Sequence, residues 1–367
     1  MNAARFPRRM STRLKKLAPC LFALCSITLY SWMAEAQPKL ERSFEIQNYD
    51  PAIGPRQYFT VESAAMPGNY DYGVALDYTF QHKPLSIFLV ENDDLKTENV
   101  VMNWQNTLFV HGFFGINTKG LLGGYLFKQL QFGLSLPVSI QSGQVDVSDY
   151  PMPLSTPSEV RGFGLGDLRI HLKTSLWRFL NEKIRLALST TVTLPWVGDI
   201  PNYQNHNNFV GEKNVTIRPR VIGEFVHKDL RVAANVGFIA RVEESQFFST
   251  TVGHELLYGA AGEYGFWEGS GMKLSGLMEV VGRNGLSTEL DENPLEVDAG
   301  VRVHFNWGLS VMAGGGAGLI KAVGSPLWRA FLRVQFAPSR TDSDGDGVPD
   351  YRDKCPGQKE DKDGFKD

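Results

Sequence analysis

The chain has 367 residues, of which 37 are lysine or arginine and 40 are aspartate or glutamate, so its formal net charge is −3. This slightly acidic balance, without a basic patch, argues against a nucleic-acid-binding protein. Apolar residues make up 43% of the chain, yet no run of about eighteen of them follows the amino-terminal region, which excludes a membrane-spanning helix there.

Residues 1–36 have the three parts of a secretory signal peptide. Six basic residues precede an apolar segment at 17–33, and the small-x-small cleavage site Ala-Glu-Ala follows at 34–36. An uncleaved membrane anchor would need a longer apolar run, and a lipoprotein signal would need a better context than a proline directly before Cys20. We therefore expect export and cleavage after that site.

Cleavage would change both the cysteine content and the charge. It would remove Cys20 and Cys25 and leave Cys355 alone, which excludes a fold held together by disulfides. It would also leave 31 basic and 39 acidic residues, a net charge of −8. Residues 37–69, which come before the first predicted strand, are expected to be a periplasmic lead or a plug.

Residues 70–337 are predicted to form an antiparallel transmembrane β-barrel. Segments of about ten to fourteen residues alternate apolar with polar or small side chains, whereas strands of soluble sheets usually have only five or six residues. In residues 229–242 the even positions are all apolar, and the odd positions include Arg231, Asn235 and Arg241. Aromatic residues cluster near the predicted strand ends, as in interfacial girdles. A soluble sandwich is the alternative, and the strand lengths favour the barrel.

We count twelve strands, an even number as in bacterial outer-membrane barrels; fourteen is the alternative, because residues 85–91 form a candidate extra strand. Long loops such as 81–103, 142–165 and 198–213 alternate with short turns. The last strand ends in Phe336 and resembles the aromatic signal read by barrel-assembly machinery. The predicted strands are 70–80, 104–115, 128–141, 166–178, 184–197, 214–227, 229–242, 251–267, 271–284, 294–307, 309–323 and 326–337.

Charges of both signs fall on positions expected to face inward. Mixed signs predict ion-paired side chains that fill a narrow barrel, which favours a structural anchor, while a charged eyelet that passes small solutes is the alternative. Small inward residues such as Gly237 and Gly300 leave room, so both interpretations stay open. The expected inward charges are Arg169, Lys173, Arg185, Arg218, Arg220, Arg231, Arg302, Arg329, Arg333, Glu224, Glu255, Glu263, Glu279, Glu296 and Asp298.

We expect that the protein is not an enzyme. The seven histidines lack the His-x-x-x-His spacing of zinc enzymes, and the glycines between residues 162 and 166 lack the strand-to-helix context of a dinucleotide loop. A barrel with catalytic groups is the alternative class. A trio such as His206, Asp199 and a serine occurs readily among polar loops, however, so it does not indicate catalysis.

The carboxyl-terminal residues carry the most specific motif of the chain. From Asp342 the sequence is DSDGDGVPDYRD, with carboxylates at positions 1, 3, 5, 9 and 12 and glycine at position 6, which is the spacing of a calcium loop. A second copy begins seventeen residues later. A solvated acidic tail, the alternative, would have no reason to keep this spacing. The expected Ca²⁺ ligands are Asp342, Asp344, Asp346, the carbonyl of Val348, Asp350, Asp353, Asp361, Asp363 and Asp367.

The segment from Asp342 to Pro356 resembles the thrombospondin type 3 repeat. This resemblance implies calcium shared along successive repeats and a partner for Cys355 in the following repeat. With the signal peptide and the barrel, the chain resembles the amino-terminal part of OmpA-family proteins in which such repeats connect a barrel to a peptidoglycan-binding domain. The resemblance to these OmpA-family proteins implies a linker at 338–341 and a calcium-binding tail at 342–367 in the periplasm. It also implies that any peptidoglycan-binding domain lies beyond Asp367.

The sequence therefore predicts an outer-membrane barrel whose calcium-stabilised periplasmic stalk links the membrane to the cell wall or to an envelope protein. A small-solute channel is the alternative, and a component of cell-surface contact or outer-membrane exchange is a third. The expected partners are outer-membrane lipid, peptidoglycan through a following domain, and an envelope protein. Loops 142–165 and 198–213 would carry any extracellular recognition.

Overall fold

The computed structural model describes residues 44–91, 94–120, 127–144, 159–195, 209–212, 214–247, 250–287 and 290–338. The predicted signal peptide and the predicted calcium ligands lie outside these residues. Within them, regular structure is all β-strand except for one short 3₁₀ helix. No helix in the described ranges is long and apolar enough to cross a membrane.

Fifteen strands occur in the described part of the chain. They are β1 (Tyr72–Glu91), β2 (Asp94–Asn117), β3 (Gln129–Gln144), β4 (Glu159–Leu165), β5 (Leu168–Phe179), β6 (Ile184–Leu194), β7 (Thr216–His227), β8 (Leu230–Arg241), β9 (Ser245–Phe247), β10 (Thr250–Val252), β11 (Glu255–Gly269), β12 (Met272–Asn284), β13 (Leu295–Phe305), β14 (Leu309–Ile320) and β15 (Trp328–Phe336).

Twelve of these strands close into an antiparallel ring. β1 closes it by pairing with β15, from Val74 opposite Phe336 to His82 opposite Trp328. β4 pairs with β3 beside the start of β5, from which two residues separate it, and β9 and β10 form a small hairpin outside the ring. The predicted barrel of twelve strands is confirmed, and the alternative count of fourteen is wrong.

Successive side chains in each strand point to opposite faces of the barrel wall. On β8, Arg231 and Asn235 are buried, whereas Val232 and Val236 are exposed on the outside. Large apolar side chains therefore cover the outer face, and most of the charged strand residues point inward. This distribution is the one that a bilayer requires of a membrane barrel, and it confirms the predicted faces.

Short turns and long connections lie at opposite ends of the barrel. The turns at 180–183, 228–229, 270–271 and 306–308 define what we call the turn end, and the opposite end is the loop end. Ser270 and Gly271 have φ angles of 50° and 73°, as a two-residue type I′ hairpin turn requires. The predicted turns agree with these positions, and exposed aromatic side chains such as Trp267 and Trp307 lie beside them.

The first hairpin differs from the prediction. β1 and β2 continue past the predicted limits and stay paired as far as Glu91 and Asp94, so the predicted loop 81–103 and the candidate extra strand 85–91 are both parts of one long hairpin. Its sequence from residue 87 to residue 100 does not alternate apolar and polar residues. Alternation of apolar and polar residues marks a strand only where one face of the strand meets lipid or a core. The sequence therefore did not predict this part of the hairpin as strand.

Candidate functional site: the plugged barrel lumen

The segment before β1 runs inside the barrel. We call residues 44–64 the plug. Its first residues lie at the loop end, where the N–H of Ile46 donates to the carbonyl of Phe209 at 3.3 Å. The side-chain amide of Asn48 donates to the carbonyl of Val323 at 3.1 Å in the last loop. The plug therefore starts at the loop end, far from the turn end at which β1 begins.

From there the plug crosses the whole lumen. It reaches the turn end at Gly54, whose carbonyl accepts a hydrogen bond of 3.3 Å from Gln335. It then reverses to the middle of the barrel, where Asn235 accepts from the N–H of Glu62 at 2.7 Å. Residues 65–71 return to the turn end and lead into β1. The chain thus crosses the lumen once in full and then makes a loop from the turn end to the middle and back.

Wall side chains form hydrogen bonds with backbone groups of the plug, because residues 44–64 pair with no strand of the described part of the chain. Two prolines and a glycine between residues 51 and 55 interrupt any ladder. The carboxylate of Glu279 on β12 accepts from the N–H groups of residues 59–61 at 2.9–3.3 Å and from the Thr60 hydroxyl at 2.7 Å. Arg333 on β15 donates to the carbonyls of residues 58 and 59.

One side of the wall is basic. We call Arg169 and Lys173 on β5 together with Arg218 and Arg220 on β7 the basic wall. Asp50 of the plug lies 2.6 Å from Arg169, 3.5 Å from Arg218 and 2.8 Å from Arg220. Arg169 and Arg218 are almost inaccessible to solvent and Arg220 is mostly buried, so the plug carboxylate serves as their counter-charge.

Two more plug carboxylates extend this contact. Glu45 pairs with Arg169 and, at 3.1 Å, with Arg218. Glu62 lies 3.1 Å from Arg220 and 4.0 Å from Lys173, and the hydroxyl of Ser189 donates to it at 2.9 Å. Every ion pair that the structure records for the basic wall within the described residues goes to the plug.

The other side of the wall is acidic. We call Glu279, Glu296 and Asp298 on β12 and β13 the acidic wall. Arg329 pairs with Glu296 at 2.9 Å, but neither carboxylate oxygen of Asp298 has a hydrogen-bond partner among the described residues, although both are buried. The plug therefore lies between two walls of opposite charge, with its carboxylates toward the basic wall and the N–H groups of residues 59–61 toward Glu279.

Ion pairs within the wall itself occur toward both ends of the barrel, and three of them form one cluster nearer the turn end. Arg231 lies 2.7 Å from Glu224 and 2.8 Å from Glu263, and Arg302 lies 2.7 Å from the same Glu263. These pairs agree with the prediction of inward charges of both signs. Arg185 is the exception, because its Nε donates to the carbonyl of residue 182 in the adjacent turn.

Apolar side chains seal the plug at the loop end and in the middle. Phe44 stacks edge-on against Phe209 with ring centroids 5.3 Å apart, in a buried cluster that includes Leu85 from the first hairpin. Phe59 meets Phe331 with centroids 4.2 Å apart. Cavities of about 60 Å³ beside Asp50 and about 40 Å³ at the turn end remain, each enough for a few water molecules.

The sequence predicted the wall charges but not their plug partners. The available signal was that β5 and β7 carry four inward cations against one inward acid, Glu224, while the preceding lead contains Glu45, Asp50 and Glu62. The predicted calcium ligands lie outside the described residues. Within the described ranges, no group of three or more histidine, cysteine, aspartate or glutamate residues could hold a metal ion.

No protein-family model and no curated protein sequence matches the chain. Among solved structures, an outer-membrane channel from Pseudomonas putida F1 matches with 16% identity and a TM-score of 0.50, covering 74% of this chain and 97% of the channel. The NanC porin matches with 8% identity, 72% and 99% coverage and a TM-score of 0.39; the KdgM porin matches with 13% identity, 71% and 98% coverage and a TM-score of 0.33. The likeness to the Pseudomonas channel shows that this chain has the fold of an outer-membrane β-barrel.

Proposed function

We propose that the protein is an outer-membrane channel for small solutes, closed by its plug in the state described here. The observation that carries this proposal is the plug itself. Side chains alone fill a barrel of about eight strands, whereas wider barrels leave space inside. Here twelve strands enclose a space that a separate segment, residues 44–64, occupies. Displacement of that segment would leave a lumen lined by polar and charged side chains.

The chemistry of the interface supports a movable plug. Glu45, Asp50 and Glu62 meet the wall through ion pairs, and buried ion pairs contribute little net stability because desolvation opposes them. When water enters the lumen, both partners recover their hydration. A plug held mainly by apolar contacts would gain no such hydration when it leaves the wall. The polar interface therefore favours reversible opening.

Replacement of Glu279 by glutamine tests this proposal. The change removes the negative charge of the carboxylate that accepts hydrogen bonds from the N–H groups of residues 59–61. Hydrogen bonds to charged groups contribute about 1.5–3 kcal/mol each. We expect the open probability of the reconstituted barrel to rise about tenfold, since about 1.4 kcal/mol corresponds to a factor of ten. Single-channel recording in planar bilayers measures it.

The matched control is Glu268→Gln, which makes the same chemical change at an exposed position beside Lys273 near the turn at 270–271. It should conduct like the parent. If both folded variants stay as closed as the parent, the plug is a permanent filling and the channel proposal fails.

A second proposed role concerns the carboxyl-terminal motif. The 1-3-5-9-12 spacing of carboxylates from Asp342 to Asp353 favours a calcium-stabilised stalk that leaves the barrel after β15 on the periplasmic side. Such a stalk would connect the outer membrane to peptidoglycan, through a domain beyond Asp367, or to an envelope protein. This role is compatible with a channel, because the stalk and the lumen are different parts of the chain. Neither role includes a catalytic step.

A further inference from the structure

The basic wall has a charge that its own strands do not neutralise. Among the described residues, the ion-pair partners of Arg169, Lys173, Arg218 and Arg220 all belong to the plug. We propose that this wall is a binding site for small solutes with several carboxylate groups, and that the plug carboxylates occupy it in the closed state. The inference rests on the proposed channel function and names the solute class of that channel.

Shared partners make the site continuous. Glu45 and Asp50 both contact Arg169 and Arg218, and Asp50 and Glu62 both contact Arg220. Three carboxylates thus alternate with the guanidinium groups from the loop end toward the middle of the lumen. A solute with two or three carboxylates on one short skeleton would reproduce this arrangement, whereas a monocarboxylate would replace only one of the three.

The residue types suit this class of ligand. A guanidinium group is planar, stays charged, and presents donors that match a carboxylate in pairs. Three of the four cations are arginine, and the side chains of Arg169 and Arg218 are only 2% and 1% exposed. Once the plug departs, four clustered cations are left without counter-charges, and the free-energy cost of their mutual repulsion favours entry of a replacement anion. A neutral or cationic solute would not reduce this free-energy cost.

The acidic wall favours a solute that also carries hydrogen-bond donors. Glu279 accepts hydrogen bonds from three backbone N–H groups and one hydroxyl of the plug, and Asp298 has no hydrogen-bond partner among the described residues. A solute that carries hydroxyl donors as well as carboxylates would match both walls. Citrate, with three carboxylates and one hydroxyl, is therefore a suitable probe of the site.

The test removes the carboxylates of the plug and leaves the wall unchanged. The variant with Glu45→Gln, Asp50→Asn and Glu62→Gln no longer fills the site with charge, so citrate should bind to it at least tenfold more tightly than to the parent. Isothermal calorimetry on the folded full chain in detergent measures this. Addition of Arg218→Gln to the triple variant should weaken citrate binding again by about tenfold, and acetate should bind weakly to all forms.

A matched control makes the same change in net charge elsewhere. Glu182→Gln, Asp229→Asn and Glu268→Gln alter three exposed carboxylates at the turn end, and this variant should bind citrate like the parent. If the plug variant does not fold, Asp50→Asn alone, which removes the carboxylate shared by three arginines, should still tighten binding severalfold. Equal binding by plug and control variants, or no binding by either, would overturn the site.

The experiments distinguish refutation of the anion site from refutation of the proposed channel. Citrate binding by the plug variant without any conductance in the Glu279→Gln recordings would refute the channel and leave the anion site standing. Conductance without citrate binding, and with a reversal potential that shows no preference for chloride over potassium, would refute the anion site and leave the channel standing.

Discussion

Asp50 shows how a single residue links distant parts of the chain. Its carboxylate meets three guanidinium groups that lie between 119 and 170 positions further along the sequence. Arginine keeps its charge when buried, so each of these side chains needs a counter-charge nearby. Departure of the plug would therefore leave mutually repelling cations without counter-charges, and any solute that supplies negative charge would lower that penalty.

At the same scale, the outward residues give a test of the membrane face. Val236 and Val301 are 57% and 53% exposed on the outer surface of β8 and β13. Arginine at either position near the bilayer midplane should cost about 2–4 kcal/mol of folding free energy, measured by reversible urea unfolding in lipid vesicles. Val236→Leu, which keeps the position apolar, should be nearly neutral. An arginine variant as stable as the leucine variant would contradict the assignment of this face.

At the scale of elements, the strands were predictable, whereas the plug was expected only as one of two alternatives for residues 37–69 and its path through the lumen was not predicted. A strand between lipid and lumen must alternate side chains with a period of two, so β5, β8 and β13 were visible in the sequence. The plug has no such constraint, because wall side chains such as Glu279 and Arg333 satisfy its backbone. Its position depends on ion pairs between residues far apart in sequence, and no local pattern reveals these.

The glycines of β11 give a test of plug packing. Gly259 faces inward, and an added Cβ there would lie 3.0 Å from Val61 of the plug and 3.1 Å from Val281 on β12. Gly262 on the same strand has no atom within 4 Å of the place of an added Cβ. We expect Gly259→Val to displace Val61 and to raise channel opening, whereas Gly262→Val should conduct like the parent.

Single-channel recording compares the two variants. Equal conductance of Gly259→Val and Gly262→Val, with both folded, would show that contact with Val61 does not hold the plug in place.

At the scale of the whole molecule, the barrel and the proposed calcium-binding tail make separate demands on the sequence. The barrel needs alternation over residues 70–337, and the tail needs only spaced carboxylates and glycine turns. Because the tail has almost no apolar residues with which to build a core, calcium would have to supply its order. This proposal stands on the motif from Asp342 to Asp353.

The test of calcium binding uses the protein with every repeat that its gene encodes, because neighbouring repeats would share ligands. Asp346→Ala should lower the calcium affinity measured by calorimetry. It should also restore cleavage near Arg352 and Lys354 in limited proteolysis, because an unliganded cluster of carboxylates repels itself. Unchanged affinity in the variant, or no protection of the parent by calcium, would refute the stalk and leave the barrel unaffected.

In the proposed channel, the position of the plug in the chain would set how closure responds to solute concentration. Residues 65–71 join the plug directly to β1, so a displaced plug stays attached at the turn end. For a short flexible linker the effective concentration of such a tethered group is about millimolar. A solute must therefore compete with an internal ligand that never dilutes away. Below its threshold concentration the barrel would reseal itself, at any abundance of the protein in the membrane.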